Sequence, residues 1–112
     1  MGHGVDERSR PAGMDLAAAK AVATTLQALS TPSRLLILGR LREGPAAVNE
    51  IVDAVGMQRS AVSHQLRLLR NLGLVHDERH GRTVVYRLYD DHVAQLLDEA
   101  VYHVEHLRLG AL

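Results

Sequence analysis

The chain has no cysteine, no tryptophan and no phenylalanine, and its only aromatics are three tyrosines. Without cysteine there is no disulfide, no thiol redox switch and no thiolate metal site, so imidazole, carboxylate and amine remain as the strong metal ligands. With so few aromatics, the 46% of hydrophobic residues must build a core from Leu, Val, Ile and Ala, which favours packed helices. No apolar run approaches the roughly 18 residues that span a bilayer, and the first residues lack the charged-then-apolar plan of a signal peptide. A cytoplasmic protein without a membrane partner is expected. At 112 residues there is room for one domain, small enough that pairing with a second copy would add useful burial.

Net charge is absent too, yet it is unevenly cancelled. Residues 57–89 carry six Arg against Asp77 and Glu78, whereas residues 90–112 carry five acids against Arg108. The first stretch suits phosphate and the second suits cations.

Residues 1–14 combine three Gly, a Pro and mixed charge without periodicity, and read as a flexible arm. A folded domain is expected over 15–107, with a short tail at 108–112. Leu16, Ala19, Ala23, Leu26 and Leu29 recur at helical spacing. Thr31-Pro32 starts a second helix, the hydroxyl capping free amides and the proline occupying a position whose amide would go unpaired. That helix runs to about Arg42 and stops at Gly44-Pro45. Val48, Ile51, Val52 and Val55 mark a short third helix closed by Gly56. A fourth, about 59–72, has Val62, Leu66 and Leu69 as its buried stripe and ends at Gly73. Leu74–Glu78 and Thr83–Leu88 read as two strands joined through Arg79-His80-Gly81-Arg82, and a last helix spans about Asp91 to Leu107.

The fold class predicted is therefore mainly α with a small β-hairpin: four helices, two strands, one helix. Two short helices joined at Gly56, the second with an acid-free polar face, describe a helix-turn-helix, and the following hairpin supplies a wing. Gln58, Ser60, Ser63 and His64 can reach base edges, Arg67 and Arg70 can neutralise phosphates, and Arg59 belongs to the same DNA-facing set. Arg79 and Arg82 at the wing tip can enter a minor groove or grip its backbone. His76 and His80 fall to the wing.

Thr31-Pro32-Ser33-Arg34-Leu35-Leu36-Ile37-Leu38, Ser60-Ala61-Val62-Ser63-His64-Gln65-Leu66-Arg67, Leu69-Arg70-Asn71-Leu72-Gly73-Leu74-Val75 and Gly81-Arg82 together resemble the ArsR/SmtB family of metal-responsive repressors. The likeness covers about residues 15–107. It implies a homodimer clamped by the first and last helices, bound to an inverted repeat in double-stranded operator DNA. The opening Met1-Gly2-His3-Gly4 and the closing Tyr102-His103-Val104-Glu105-His106-Leu107 are similar to nickel- and cobalt-sensing members.

In the last helix, His92 and His103 lie within roughly 20° of one face, with His106 beside His103. His92 and His103 are nonetheless about 16 Å apart along the axis, too far to share one ion. Two antiparallel copies across a dimer axis would bring His103 and His106 of one opposite Asp90 and His92 of the other. Asp90 can join only at or before the helix N-cap, with Asp91 as its substitute. The resemblance implies this same set, Asp90, His92, His103 and His106, as metal ligands. It also implies that, once Met1 is removed, the Gly2 amine and His3 imidazole add to the site. Extra donors of that kind favour nickel or cobalt as effector, while four oxygen and nitrogen ligands would also close a zinc site. The chain departs from the nickel-sensor pattern at Arg108, where a further His is usual.

Metal binding at the seam is expected to weaken the grip on DNA by respacing the two reading heads. The alternative is a winged-helix DNA-binding regulator that has lost metal sensing or acts with a partner protein. No His-Glu-x-x-His or comparable arrangement is present, so an enzyme is not expected.

Overall fold

The structure, a computed structural model, describes residues 13–110; the expected arm up to residue 12, with Gly2 and His3, lies outside the described residues. The elements are α1 (Leu16–Ala28), α2 (Pro32–Arg42), β1 (Ala46–Ala47), α3 (Val48–Val55), α4 (Arg59–Asn71), β2 (Val75–His80), β3 (Thr83–Leu88) and α5 (Asp91–Arg108).

Local chemistry sets the helix boundaries. Asp15 accepts the Ala18 amide at 2.8 Å to start α1, and Thr31 accepts the Arg34 amide at 3.3 Å to start α2 with Pro32 first in the helix. The Glu50 carboxylate reaches back to the Ala47 amide at 2.8 Å and pins the start of α3. Gly56, at φ 72°, ends α3 in the left-handed conformation that a side chain resists, which turns the chain into α4 within three residues.

The hairpin is longer than the sequence suggested. Residues 79–82 were expected to form the connection, but β2 continues through His80, which pairs with Thr83 across a two-residue turn. Gly81 takes the first central position at φ 65°, as a type II′ turn requires, and the strands zip up to it. A third strand also appears, giving sheet order β1-β3-β2, with Ala46 opposite Tyr86 and Ala47 opposite Val85. Two alanines show no alternation and have little strand preference, so nothing in the sequence marked them. The last helix extends one residue past expectation, to Arg108.

The core lies between α2, α3, α4, the wing root and the first half of α5. Ile37, Leu38, Ile51, Val62, Leu66 and Leu69 are fully buried, and Leu74, Val75, Val93 and Leu97 close over them. Truncating Ile37 or Leu66 to Ala would leave a cavity costing about 2–5 kcal/mol. Helix α1 gives this core only Ala28; Leu16 and Leu26 are exposed. The apolar stripe of α5 runs Val93, Leu97, Val101, Val104, Leu107, buried at its start and bare from Val101 onward. The apolar positions Leu16 and Leu26 of α1 are therefore not covered by their own chain.

Candidate functional site

Around α4, Gln58, Arg59, Ser60, His64 and Arg67 are exposed and Ser63 is half-buried; Ser60, His64 and Arg67 lie on the side away from Val62, Leu66 and Leu69, whereas Gln58 and Arg59 are bared by their place at the helix start. Gln58 is the N-cap and makes no side-chain cap bond. The free amides of the first turn and the nearby guanidiniums of Arg59 and Arg82 make this end of α4 attractive to anions.

Arg59 donates to the amide oxygen of Asn49, so its guanidinium is held between α3 and α4. A cleft of about 360 Å³ opens beside it, with Arg82, Thr83 and Tyr86 of the hairpin on its far wall. Asn49 was missed at the level of sequence, where it is one more polar residue in the first turn of α3. Arg82 sits at the hairpin turn and Arg79 in the strand opposite Val84, both exposed. Arg70 is shared: its Nη1 lies 3.0 Å from Asp77 Oδ2 on β2, which ties the end of α4 to the wing. His80 stands 3.6 Å from Glu78, and His76 stacks on Tyr89 with ring centroids 4.5 Å apart.

At the other end of the domain, Asp90 is the N-cap of α5. Its Oδ1 accepts the amides of His92 at 3.0 Å and Val93 at 3.2 Å, and its Oδ2 lies 3.5 Å from His92 Nδ1. As the N-cap, with extended backbone, Asp90 turns its carboxylate back toward the first turn. Both side chains rim a cavity of about 300 Å³ walled by Thr25 of α1, Leu72, Tyr89 and Leu96. His103 and His106 are exposed on the bare half of α5, one turn apart. The chain thus brings Asp90 to His92 but not to the other pair, and among the described residues no three His, Asp or Glu side chains gather within one protomer. One carboxylate and one imidazole are too few donors to close a tetrahedral site within one protomer.

Between α2 and α5, Arg42 pairs bidentately with Asp98, Nε to Oδ1 at 3.0 Å and Nη2 to Oδ2 at 2.8 Å. The Arg42 hydrogen bond and charge hold the Asp98 carboxyl below its ordinary value, and Asp98 raises that of Arg42. No helix among the described residues is long and apolar enough to cross a membrane.

The family of bacterial regulatory proteins named after arsR matches residues 31–77, from the cap of α2 through the helix-turn-helix into β2. The chain is 66% identical to the HTH-type transcriptional regulator NmtR of Mycobacterium tuberculosis over 98% of its own length and 92% of that protein. It is similar to the solution structure of apo-NmtR with a TM-score of 0.74 at 65% identity, covering 94% of this chain and 89% of that one. A homodimeric winged helix-turn-helix domain from Mycobacterium bovis, Mb0332, matches with a TM-score of 0.76 at 31% identity, over 92% of this chain and 90% of that one. A cadmium resistance transcriptional regulatory protein, the CadC homolog of Staphylococcus aureus, is 37% identical over 73% of this chain and 69% of that protein. These relatives are transcriptional regulators, in keeping with a polar helix face and a basic wing. With the matched segment lying on α2 to β2 and the full-length likeness extending over both flanking helices, the chain belongs to the ArsR family of transcriptional regulators and is a winged-helix DNA-binding protein.

Proposed function

We propose that this chain is a metal-responsive repressor that works in the cytoplasm as a homodimer. The metal-free dimer holds an inverted repeat in operator DNA, and a divalent transition metal at the α5 seam weakens that hold. Nickel or cobalt is the favoured effector and zinc the second.

The observation that carries this reading is the capped Asp90–His92 pair, 3.5 Å apart and facing outward, on the same helix as His103 and His106. Each pair is half of a coordination shell. A second copy supplies the other half if the bare stripes of α5 meet, and the exposed Leu16, Leu26, Val101, Val104 and Leu107 are the kind of apolar surface that such a meeting buries. Asp90, His92, His103 and His106 would hold the ion, which would supply a bridge between the two copies. Residues 1–14 can bring the Gly2 amine and His3 to the same seam, raising the donor count toward six, as nickel and cobalt prefer. The homodimeric Mb0332 domain and the cadmium-linked relative support pairing and metal response.

On the DNA side, Gln58, Ser60, Ser63 and His64 read base edges, Arg59 and Arg67 meet phosphates, and Arg79 and Arg82 reach from the wing. Arg70 contributes after exchanging Asp77 for phosphate. Half-sites one helical turn apart demand a fixed spacing of the two heads, so a small shift at the seam lowers affinity. A tenfold loss corresponds to about 1.4 kcal/mol of coupling, within the usual range for allostery.

The test titrates metal-free protein with nickel, cobalt and zinc, recording cobalt d–d absorption and anisotropy of a duplex that the protein itself enriches from random-sequence DNA. Weak six-coordinate cobalt bands with release of DNA under nickel are expected. Intense tetrahedral bands with zinc as the stronger effector would move the assignment to zinc. DNA binding that ignores all three metals would leave a regulator without metal sensing.

A further inference from the structure

Arg34 is the third residue of α2, at the end of a helix where the macrodipole disfavours a cation. Its guanidinium turns away from its own helix to acceptors in two others. Nε donates to Gln65 Oε1 in α4 at 2.8 Å, and Nη1 donates to the Ala28 carbonyl, the last of α1, at 3.3 Å. Both contacts are partly buried. The Ala28 carbonyl is one of the terminal four that a helix leaves without an internal partner, and the negative end of α1 favours a positive fork there. Gln65 lies on α4 between the buried Leu66 and the DNA-facing His64, so its side chain reports the rotation of α4 about its axis.

We infer that Arg34 is a positioning residue: it locks the recognition helix α4 to the end of α1 and so fixes the aim of the base-reading side chains without touching DNA. Two acceptors on separate helices are satisfied at once by a rigid, planar fork, and a lysine ammonium on a flexible stem cannot hold that geometry. Because α1 carries the exposed Leu16 and Leu26, the strut also ties the reading head to a surface proposed for the dimer. The inference rests on the DNA-reading role of α4 and adds a residue to it.

The experiment compares native protein, Arg34→Lys, Gln65→Met and the double variant on two duplexes of equal length, one enriched from random DNA by the native protein and one unrelated. Each single variant is expected to bind the enriched duplex about tenfold more weakly, the scale of one hydrogen bond to a charged group, with little change on the unrelated duplex. The double variant should lose no more than either single one, since both break the same contact. The slope of log affinity against log salt should stay unchanged, because no phosphate contact is removed. Arg34→Lys binding the enriched duplex like native protein would overturn the inference. So would equal losses on both duplexes with a slope shallower by about one, the signature of a direct phosphate contact. A native protein that enriches no duplex at all would overturn the DNA-reading role of α4, and the strut with it.

Discussion

The carboxylate of Asp90 caps α5 through Oδ1, by way of the His92 and Val93 amides, while its Oδ2 stands 3.5 Å from the His92 ring. One side chain thus starts the helix and faces the first imidazole. Substitution separates the two duties. Asp90→Ala removes the cap and should lower unfolding free energy by about 1 kcal/mol, whereas Asp90→Asn keeps a cap of similar strength. Both should weaken cobalt binding, since neither offers an anionic oxygen. Urea unfolding beside an optical cobalt titration checks this, and native-like cobalt binding by Asp90→Asn would remove Asp90 from the ligand set.

His103 and His106 lie on the bare half of α5, where replacement leaves no buried cavity. His103→Ala and His106→Ala should each change the stability of the metal-free protein by no more than about 0.5 kcal/mol, given alanine's helix preference. Nickel is expected to raise the melting temperature of the native chain, and each substitution should abolish that rise, because a ligand stabilises only the state that binds it. Thermal scans with and without nickel decide the matter; an undiminished shift in either variant excludes that histidine.

Much of this molecule was legible because its signals are local. Thr31-Pro32, Gly56 and the 3–4 spacing of Val62, Leu66 and Leu69 each act within one or two turns, and the helices begin and end where those residues predict. The two-stage stripe of α5 was harder to read, since periodicity shows that Val93 and Val104 share a face but not that the domain's own core covers only the first of them. Long-range pairs were not legible at all. Arg34 and Gln65 are 31 residues apart, and Arg42 and Asp98 are 56 apart; each looks like an ordinary solvated side chain until tertiary packing brings the helices together. The proposed DNA-facing set was read from composition on one helix face, whereas Asn49 and Asp77, which hold Arg59 and Arg70, come from neighbouring elements.

Val104 is 54% exposed on the bare stripe of α5 and outside the domain's own core. Val104→Asp should leave far-UV circular dichroism and protomer folding intact while placing a charge in the proposed seam. Sedimentation should then show monomers, and affinity for the enriched duplex should collapse because one head reads only a half-site. A Val104→Asp protein that sediments as the native dimer would move the seam away from this face.

Asp98 and Arg42 join α5 to α2 through two charged hydrogen bonds on exposed side chains. The Asp98 carboxyl is held below its ordinary value chiefly by the Arg42 hydrogen bond, which outweighs the opposing effect of desolvation, with the Arg42 charge adding to the lowering. A carboxyl that is more acidic in the folded state binds its proton less readily there than in the unfolded chain. Its stabilising contribution is therefore complete above the ordinary Asp value of about 3.9 and fades as pH falls through the lowered one. The native protein should exceed Asp98→Asn in stability by a constant amount from neutral pH down to about 5, and the two should converge below about 4. High salt should also narrow the gap, since both groups face water. Denaturant midpoints for the two proteins across that range supply the measurement; a gap that persists unchanged at acid pH would assign the effect of the substitution to packing against Arg42 and not to the charge on Asp98.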